Sequence, residues 1–487
     1  MDFISLKNTY TKDSDYPDRT FNILALTRVI NGSMYDNLEY DFSEEKNLAG
    51  EYISLSKRRP SARTRLCATV VNDSVSLLFS EGHFPNCDCA DEPTRDKLEK
   101  IIKETKLNEV MLKAAMIGSV GSVAVLMRVL NNRVFFSVMN TAYLTPYWKP
   151  NEPDVLEKAT ERYKVKGKIL KQCGYSVDEQ ETYWFQRDWN SDSETWYVPQ
   201  KLSDAKDGKA PIVDDGNTKK HSLGFVPVVW IKNLPGDDDD IDGKPTFPVE
   251  AIDLQIESDY LLSQGGRALK YQADPTLHIK SPAFGDDAMI KGAANAIVTG
   301  QDGDAKLLEI SGDAAHAVMD WVKGLREIAL EGAGGNRSNA DKLSAAQSGR
   351  AMELMNQSLI WLADKLRISY GEGALLDLLN MIVKASKVFK LVSKKGIEYG
   401  ELSQDDELSL RWANWYQPTY ADKQTQANTL NVLRQANLLS QETAVKSLAD
   451  AYDITDPQDE LRQIEADKPL VDDVPPPKSE PLSQSDD

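Results

Sequence analysis

The chain has 487 residues and a mass of 54.3 kDa, too long for one ordinary compact core, so two or more structural regions are expected. With 41% hydrophobic and 27% charged residues and a mean hydropathy of -0.46, its composition excludes wholesale disorder. Fifty-seven basic against seventy-six acidic residues give a net charge of -19, which excludes the broad basic footprint of tight, sequence-independent DNA binding.

The four cysteines, Cys67, Cys87, Cys89 and Cys173, are too few for a disulfide framework in so long a chain. The opening MDFISLKNTYTKD lacks the apolar core of a signal peptide, so synthesis in the cell interior is expected. The longest apolar stretch, from Ala114 to Leu130, is interrupted by Gly118, Ser119, Gly121, Ser122 and Arg128 and falls short of a membrane span.

The first sixty residues end in the basic cluster Lys57, Arg58, Arg59, Arg63 and Arg65, which reads as a solvated face. The following RLCATVVNDSVSLLF has the apolar spacing of a buried helix. Pro93 and Thr94 then signal the start of a helix running through LEKIIKETKLNEVMLKAAMIG and ending at Gly118 and Gly121. From Ser122 to about residue 232 short β-branched and aromatic runs predict an antiparallel β-rich region, with Asn131-Asn132 as a hairpin turn.

The acidic stretch LPGDDDDIDGKPTFP separates that region from a helical half. A long helix is expected between Val249 and Gln272, with the Gly265-Gly266 pair leaving its straightness open. Two strand-like runs within ADPTLHIKSPAFGDD and AIVTGQDGDAKLLEIS read as a compact α/β insertion. A second long helix starts at Gly312-Asp313, with Ala314, Val318, Trp321, Leu325 and Ile328 as its apolar face.

Gly332, Gly334 and Gly335 remove helix propensity from EGAGGNRSNADKLSAAQSG, which reads as a mobile loop between helices. Helical spacing resumes after Gly349 and continues through Ile382, as one very long and kinked helix. Two shorter helices follow, about 421–436 and 441–452. The last nineteen residues carry five prolines and five acids against one lysine and form a tail that cannot bury enough apolar surface to fold.

Catalytic signatures are missing. No phosphate-binding loop, Gly-x-Ser-x-Gly elbow or His-Glu-x-x-His occurs, and His83, His221, His278 and His316 are far apart. Cys87-Asp-Cys89 beside His83 has the wrong spacing for a zinc knuckle and reads as exposed or half-buried free thiols. Asp238, Asp240, Asp242 and Gly243 match the opening of a calcium loop, but Val249 stands at its closing position, so a solvated acidic loop is preferred to a divalent-cation site. No cofactor is expected, calcium being the one weak candidate, and no enzymatic activity.

Four stretches in order carry a resemblance: RTRLCATVVNDSVSLLFSEG; AAMIGSVGSVAVLMRV leading to TPYW; GFVPVVWIKN before the long helix that ends at Ala273-Asp274-Pro275; and QSGRAMELMNQSLIWLADKLR followed by DPQDELRQIEAD. Together, over about Arg58 to Lys468, they resemble the portal proteins of tailed bacteriophages, the head-tail connectors of the virion. The resemblance implies an α+β subunit with a β-rich wing (1–246), stem helices (247–272 and 312–331), a small α/β clip insertion (273–311), a tunnel loop (332–348), a long helix returning to the wing (349–416), a helical crown (417–468) and a tail (469–487).

It also implies a ring of twelve copies at one capsid vertex, through which double-stranded DNA is packaged and ejected without being tightly bound. The partners implied are the terminase large subunit, head completion and adaptor proteins, and the major capsid and scaffolding proteins, with no membrane. Lys323, Arg326, Arg337 and Lys342 are the candidate channel residues, and Phe284, Asp286, Asp287 and Lys291 the candidate docking residues of the clip. The competing readings are another structural head or adaptor protein and, resting on the acidic run near Asp238, a metal-dependent DNA-processing enzyme.

Overall fold

The computed structural model describes residues 1–80, 82–237, 240–273, 276–282, 299–308, 313–335, 353–354, 356–403, 407–416, 419–449, 452, 454 and 457–467. The chain is α+β and divides into two compact units, Met1–Arg337 with Gln357–Ala413, and Ser338–Asn356 with Asn414–Asp487.

In the larger unit α1 (Phe3–Lys7) is capped by Asp2, whose carboxylate accepts from the Ser5 amide at 2.7 Å. Helix α2 (Asp18–Asn31) ends on Gly32 at φ +73°. The two-residue strands β1 (Tyr40–Asp41) and β2 (Arg58–Arg59) pair in parallel. Helix α3 (Leu66–Phe79) buries ten of its fourteen residues, in keeping with its apolar sequence, and β3 (Asn86–Asp88) follows. The single helix expected to reach Gly118 is two, α4 (Glu92–Thr105) and α5 (Leu107–Gly118). Lys106 breaks it by taking the left-handed conformation at φ 51°, a penalty no local composition announces.

Strands β4 (Ser122–Leu130) and β5 (Arg133–Met139) form the expected hairpin. Asn131 and Asn132 sit at φ 50° and 61°, the two left-handed positions that suit a two-residue hairpin loop. Strands β6 (Leu144–Lys149), β7 (Glu152–Lys166), β8 (Thr182–Trp189), β9 (Ser193–Trp196), β10 (Gln200–Lys201) and β11 (Lys219–Lys220) make an antiparallel sheet carrying α6 (Gly167–Gln172) and α7 (Leu202–Lys206) in its connections. Strand β12 (Val228–Lys232) completes the order β12-β4-β5. A core of Ala124, Leu126, Met139, Leu144, Ala159, Trp189, Val226 and Val228 joins the two sheets.

Helix α8 (Val249–Ala273) leads to the antiparallel pair β13 (Thr276–Pro282) and β14 (Thr299–Leu308), and α9 (Asp313–Gly332) returns. At 25 residues α8 is about 37 Å long. The long helix expected beyond residue 349 is described from α10 (Gln357–Leu366) through a π-helical stretch (Arg367–Leu375) into α11 (Leu376–Val388). The irregular stretch packs against Trp412. A Cβ on Gly371 would stand 2.3 Å from Cζ2 of Trp412, and the Arg367 guanidinium lies 4.6 Å from the Trp412 ring centroid. Tyr370 is fully buried and donates to Asn233 Oδ1 at 3.0 Å, tying this helix to the end of β12. Strand β15 (Ser409–Arg411) pairs with β3.

The smaller unit contains α12 (Tyr420–Gln435), opened by a Thr419–Asp422 capping box, then α13 (Gln441–Leu448) capped by Ser440, and α14 (Pro457–Asp467). Among the described residues no helix is long and apolar enough to cross a membrane.

Candidate functional site

The α8–α9 pair with its β13–β14 insertion is the part of the fold that the sequence singled out. Helix α8 buries Ala251, Ile252 and Ile256, and the same helix also buries a polar row, Gln255, Asp259 and Ser263, spaced by four. Each member of that row holds the backbone of the segment before or at the start of α3. The Cys67 amide donates to Gln255 Oε1 at 2.9 Å, the Thr64 amide to Asp259 Oδ1 at 2.6 Å, and the Ala62 amide to Ser263 Oγ at 3.0 Å. The Thr64 hydroxyl and the Tyr35 hydroxyl also donate to Asp259, each at 2.9 Å. Burial raises the Asp259 carboxyl above its ordinary range, against the lowering effect of those three hydrogen bonds. The Cys67 thiol is pushed up to about 12 by burial.

Of the basic cluster expected to be a solvated face, Lys57, Arg63 and Arg65 are exposed and Arg59 is half-buried, but Arg58 departs from that reading. Arg58 is not solvated: its side chain is 1% exposed, with Nη2 donating to the Tyr52 hydroxyl at 2.9 Å and Nη1 to the Phe42 carbonyl at 3.3 Å. Arg59 pairs with Asp41 at 2.6 Å, Arg63 donates to the Gly32 carbonyl at 2.9 Å, and Arg65 to the Ile30 carbonyl at 2.7 Å. Arg59, Arg63 and Arg65 thus also tether the segment to β1 and to the end of α2.

The Gly265-Gly266 pair leaves α8 continuous. A Cβ on Gly265 would lie 3.0 Å from Val318 Cγ1, so the absent side chain is what lets α9 approach.

On α9 the buried face is Val322, Leu325 and Ala329. Trp321 and Ile328, expected on that face, are exposed instead, at 60% and 57%. Leu325 belongs to both spacings, 321-325-328 and 322-325-329, so periodicity alone could not choose between them. Lys323 and Arg326 are exposed on the flank opposite Trp321 and Ile328. Lys323 lies 3.3 Å from Asp320 in an ion pair in which both side chains are largely exposed, worth little in stability. Arg337, Lys342, Phe284, Asp286, Asp287 and Lys291 lie outside the described residues, as does Asp238.

In the acidic loop Asp240 is exposed and Asp242 is half-buried. Asp242 is engaged by Arg19 in a two-pronged ion pair, Nε to Oδ2 at 2.5 Å and Nη2 to Oδ1 at 2.8 Å, and also accepts from the Ser122 hydroxyl. The Arg19 Nη1 donates to the carbonyls of Thr141 and Leu144 at 2.9 and 3.1 Å. Asp242 thus fastens the loop to α2 and β4. Sequence gave no signal for this pairing, whose members are 223 positions apart. Among the described residues no group of three or more His, Cys, Asp and Glu side chains is arranged to hold a metal ion. Cys87 and Cys89 are buried, contrary to the expected exposed or half-buried thiols, because β3 pairs with β15 and packs beside α4. Cys173 is exposed.

No curated protein sequence matches the chain. Among solved structures, a chain of the virion of the native gene transfer agent (GTA) particle is similar at 12% identity, covering 79% of this chain and 88% of that one, with a TM-score of 0.40. The family model for the phage portal protein, SPP1 Gp6-like, matches residues 38–469 of the 487. With that extent of match, the chain belongs to the SPP1 Gp6-like family of phage portal proteins.

Proposed function

We propose that twelve copies of this portal protein close into a ring at one capsid vertex and that genomic DNA passes through its centre during packaging and ejection. The observation that carries the reading is the family match across residues 38–469. The order of elements supports a finer assignment. Helices α8 and α9 would be the stem, the β13–β14 insertion the clip, residues 1–246 the wing, and α12, α13 and α14 the crown. The clip, with Phe284, Asp286, Asp287 and Lys291, would dock the terminase motor and later the head completion proteins; capsid and scaffolding proteins would surround the wing.

In this reading the protein is a structural part of the virion and catalyses nothing itself. A net charge of -19 suits a conduit, because each strong phosphate contact repeated around a ring would retard sliding DNA. Lys323, Arg326, Arg337 and Lys342 would supply the few basic contacts. Negative-stain electron microscopy and solution mass of the purified chain test the proposal. Rings of twelve or thirteen copies with a central hole are expected; a compact monomer or dimer at every concentration and salt would overturn it.

A further inference from the structure

Two helices of the larger unit carry the same exposed pattern, a tryptophan followed seven residues later by an isoleucine. On α9, Trp321 and Ile328 are 60% and 57% exposed; on α10 and its π-helical continuation, Trp361 and Ile368 are 59% and 66% exposed. Seven residues span about 10.5 Å along a helix, so the two stripes match in length. On α9 the stripe is completed by the small residues Ala317 and Gly324, which fall on the same side at the four-three-four spacing of a helix-docking seam. A Cβ on Gly324 would meet nothing within 4 Å, so the dent between the tryptophan and the isoleucine is open. The second stripe has a different shape. Ile368 stands at the edge of a groove of about 920 Å³ that Trp148, Phe225 and Trp230 also line.

Exposed tryptophan leaves a large apolar surface in water, and tryptophan is enriched among the residues that dominate interface energies. A ring closed by rotation needs two unlike patches on each subunit, each meeting the other on its neighbour. We infer that the Trp321–Ile328 stripe of one copy seats against the Trp361–Ile368 stripe and its groove on the next copy, and that this contact holds the ring together. The inference rests on the portal reading for the existence of the ring and adds the residues that close it.

Two experiments on the full chain test it. In the first, Trp321→Gln with Ile328→Gln is expected to leave the circular dichroism and melting of the subunit unchanged, since both side chains are exposed, while raising the concentration needed for ring formation about tenfold or more. Rings at an unchanged concentration overturn the inference. In the second, Cys173→Ser removes the exposed thiol, and Gly324→Cys and Ser369→Cys are introduced into separate chains that are then co-assembled and oxidised. Covalent dimers are expected only when the two chains are mixed. Rings without dimers in the mixture, or dimers from either chain alone, overturn the pairing. Failure of the unmodified chain to form rings would instead count against the portal reading itself.

Discussion

Replacing Asp259 separates what its charge does from what its hydrogen bonds do. Asp259→Ala strips the acceptor from three donors: the buried Tyr35 hydroxyl, and the amide and hydroxyl of half-buried Thr64. An unsatisfied buried donor costs about 1–3 kcal/mol, and water can reach Thr64, so the expected loss is about 3–5 kcal/mol. Asp259→Asn keeps Oδ1 for Thr64 and presents Nδ2 to Tyr35, whose hydroxyl can turn and accept; its loss should be within about 1 kcal/mol. The two variants should also differ from the wild type in pH dependence. Because burial raises the folded carboxyl above its ordinary 3.8, the folded state holds a proton that the unfolded state has released. The wild type therefore loses stability relative to Asp259→Asn as pH rises from about 3.8 to the folded value, and the difference is constant above that value. Urea unfolding followed by circular dichroism, repeated across pH, reads both effects. Equal damage from Asn and Ala would refute the hydrogen-bond argument and assign the anchoring to the negative charge.

Gly118→Ala would put a Cβ 2.2 Å from the Tyr370 hydroxyl oxygen and 2.8 Å from Val123 Cγ1, so a loss of about 1–3 kcal/mol is expected, and an unchanged urea midpoint would contradict the close approach. Arg337→Ala with Lys342→Ala is expected to spare ring assembly and reduce packaged DNA; unchanged packaging would remove both from the channel. Deleting residues 470–487 is expected to leave rings intact by electron microscopy, and their loss would make the tail part of the assembly.

What was legible in the sequence was whatever rests on local chemistry. The hairpin at Asn131-Asn132 follows from two residues that tolerate positive φ, and the α4 start from Asp91, Pro93 and Thr94, with the Asp91 carboxylate accepting from the Thr94 amide. Both long helices around a two-stranded insertion were also visible, since each carries helical apolar spacing over many turns. The failures were non-local. Arg58 looked like one more surface charge because its partners, Phe42 and Tyr52, are recognisable only once the chain has folded back. The Asp242–Arg19 pair joins residues 223 positions apart, and the acidic run around Asp242 read simply as a solvated loop. Helix α9 shows a subtler limit: its sequence offers two apolar stripes, one used inside the subunit and one left outside.

The central claim is a single conduit for DNA, and the measurement that meets it most directly is a cryo-electron microscopy reconstruction of assembled particles without imposed icosahedral symmetry. The expected result is a ring of this chain at one vertex, with DNA density through its centre, and empty heads when the chain is omitted. This protein at every vertex, or full heads assembled without it, would contradict the claim.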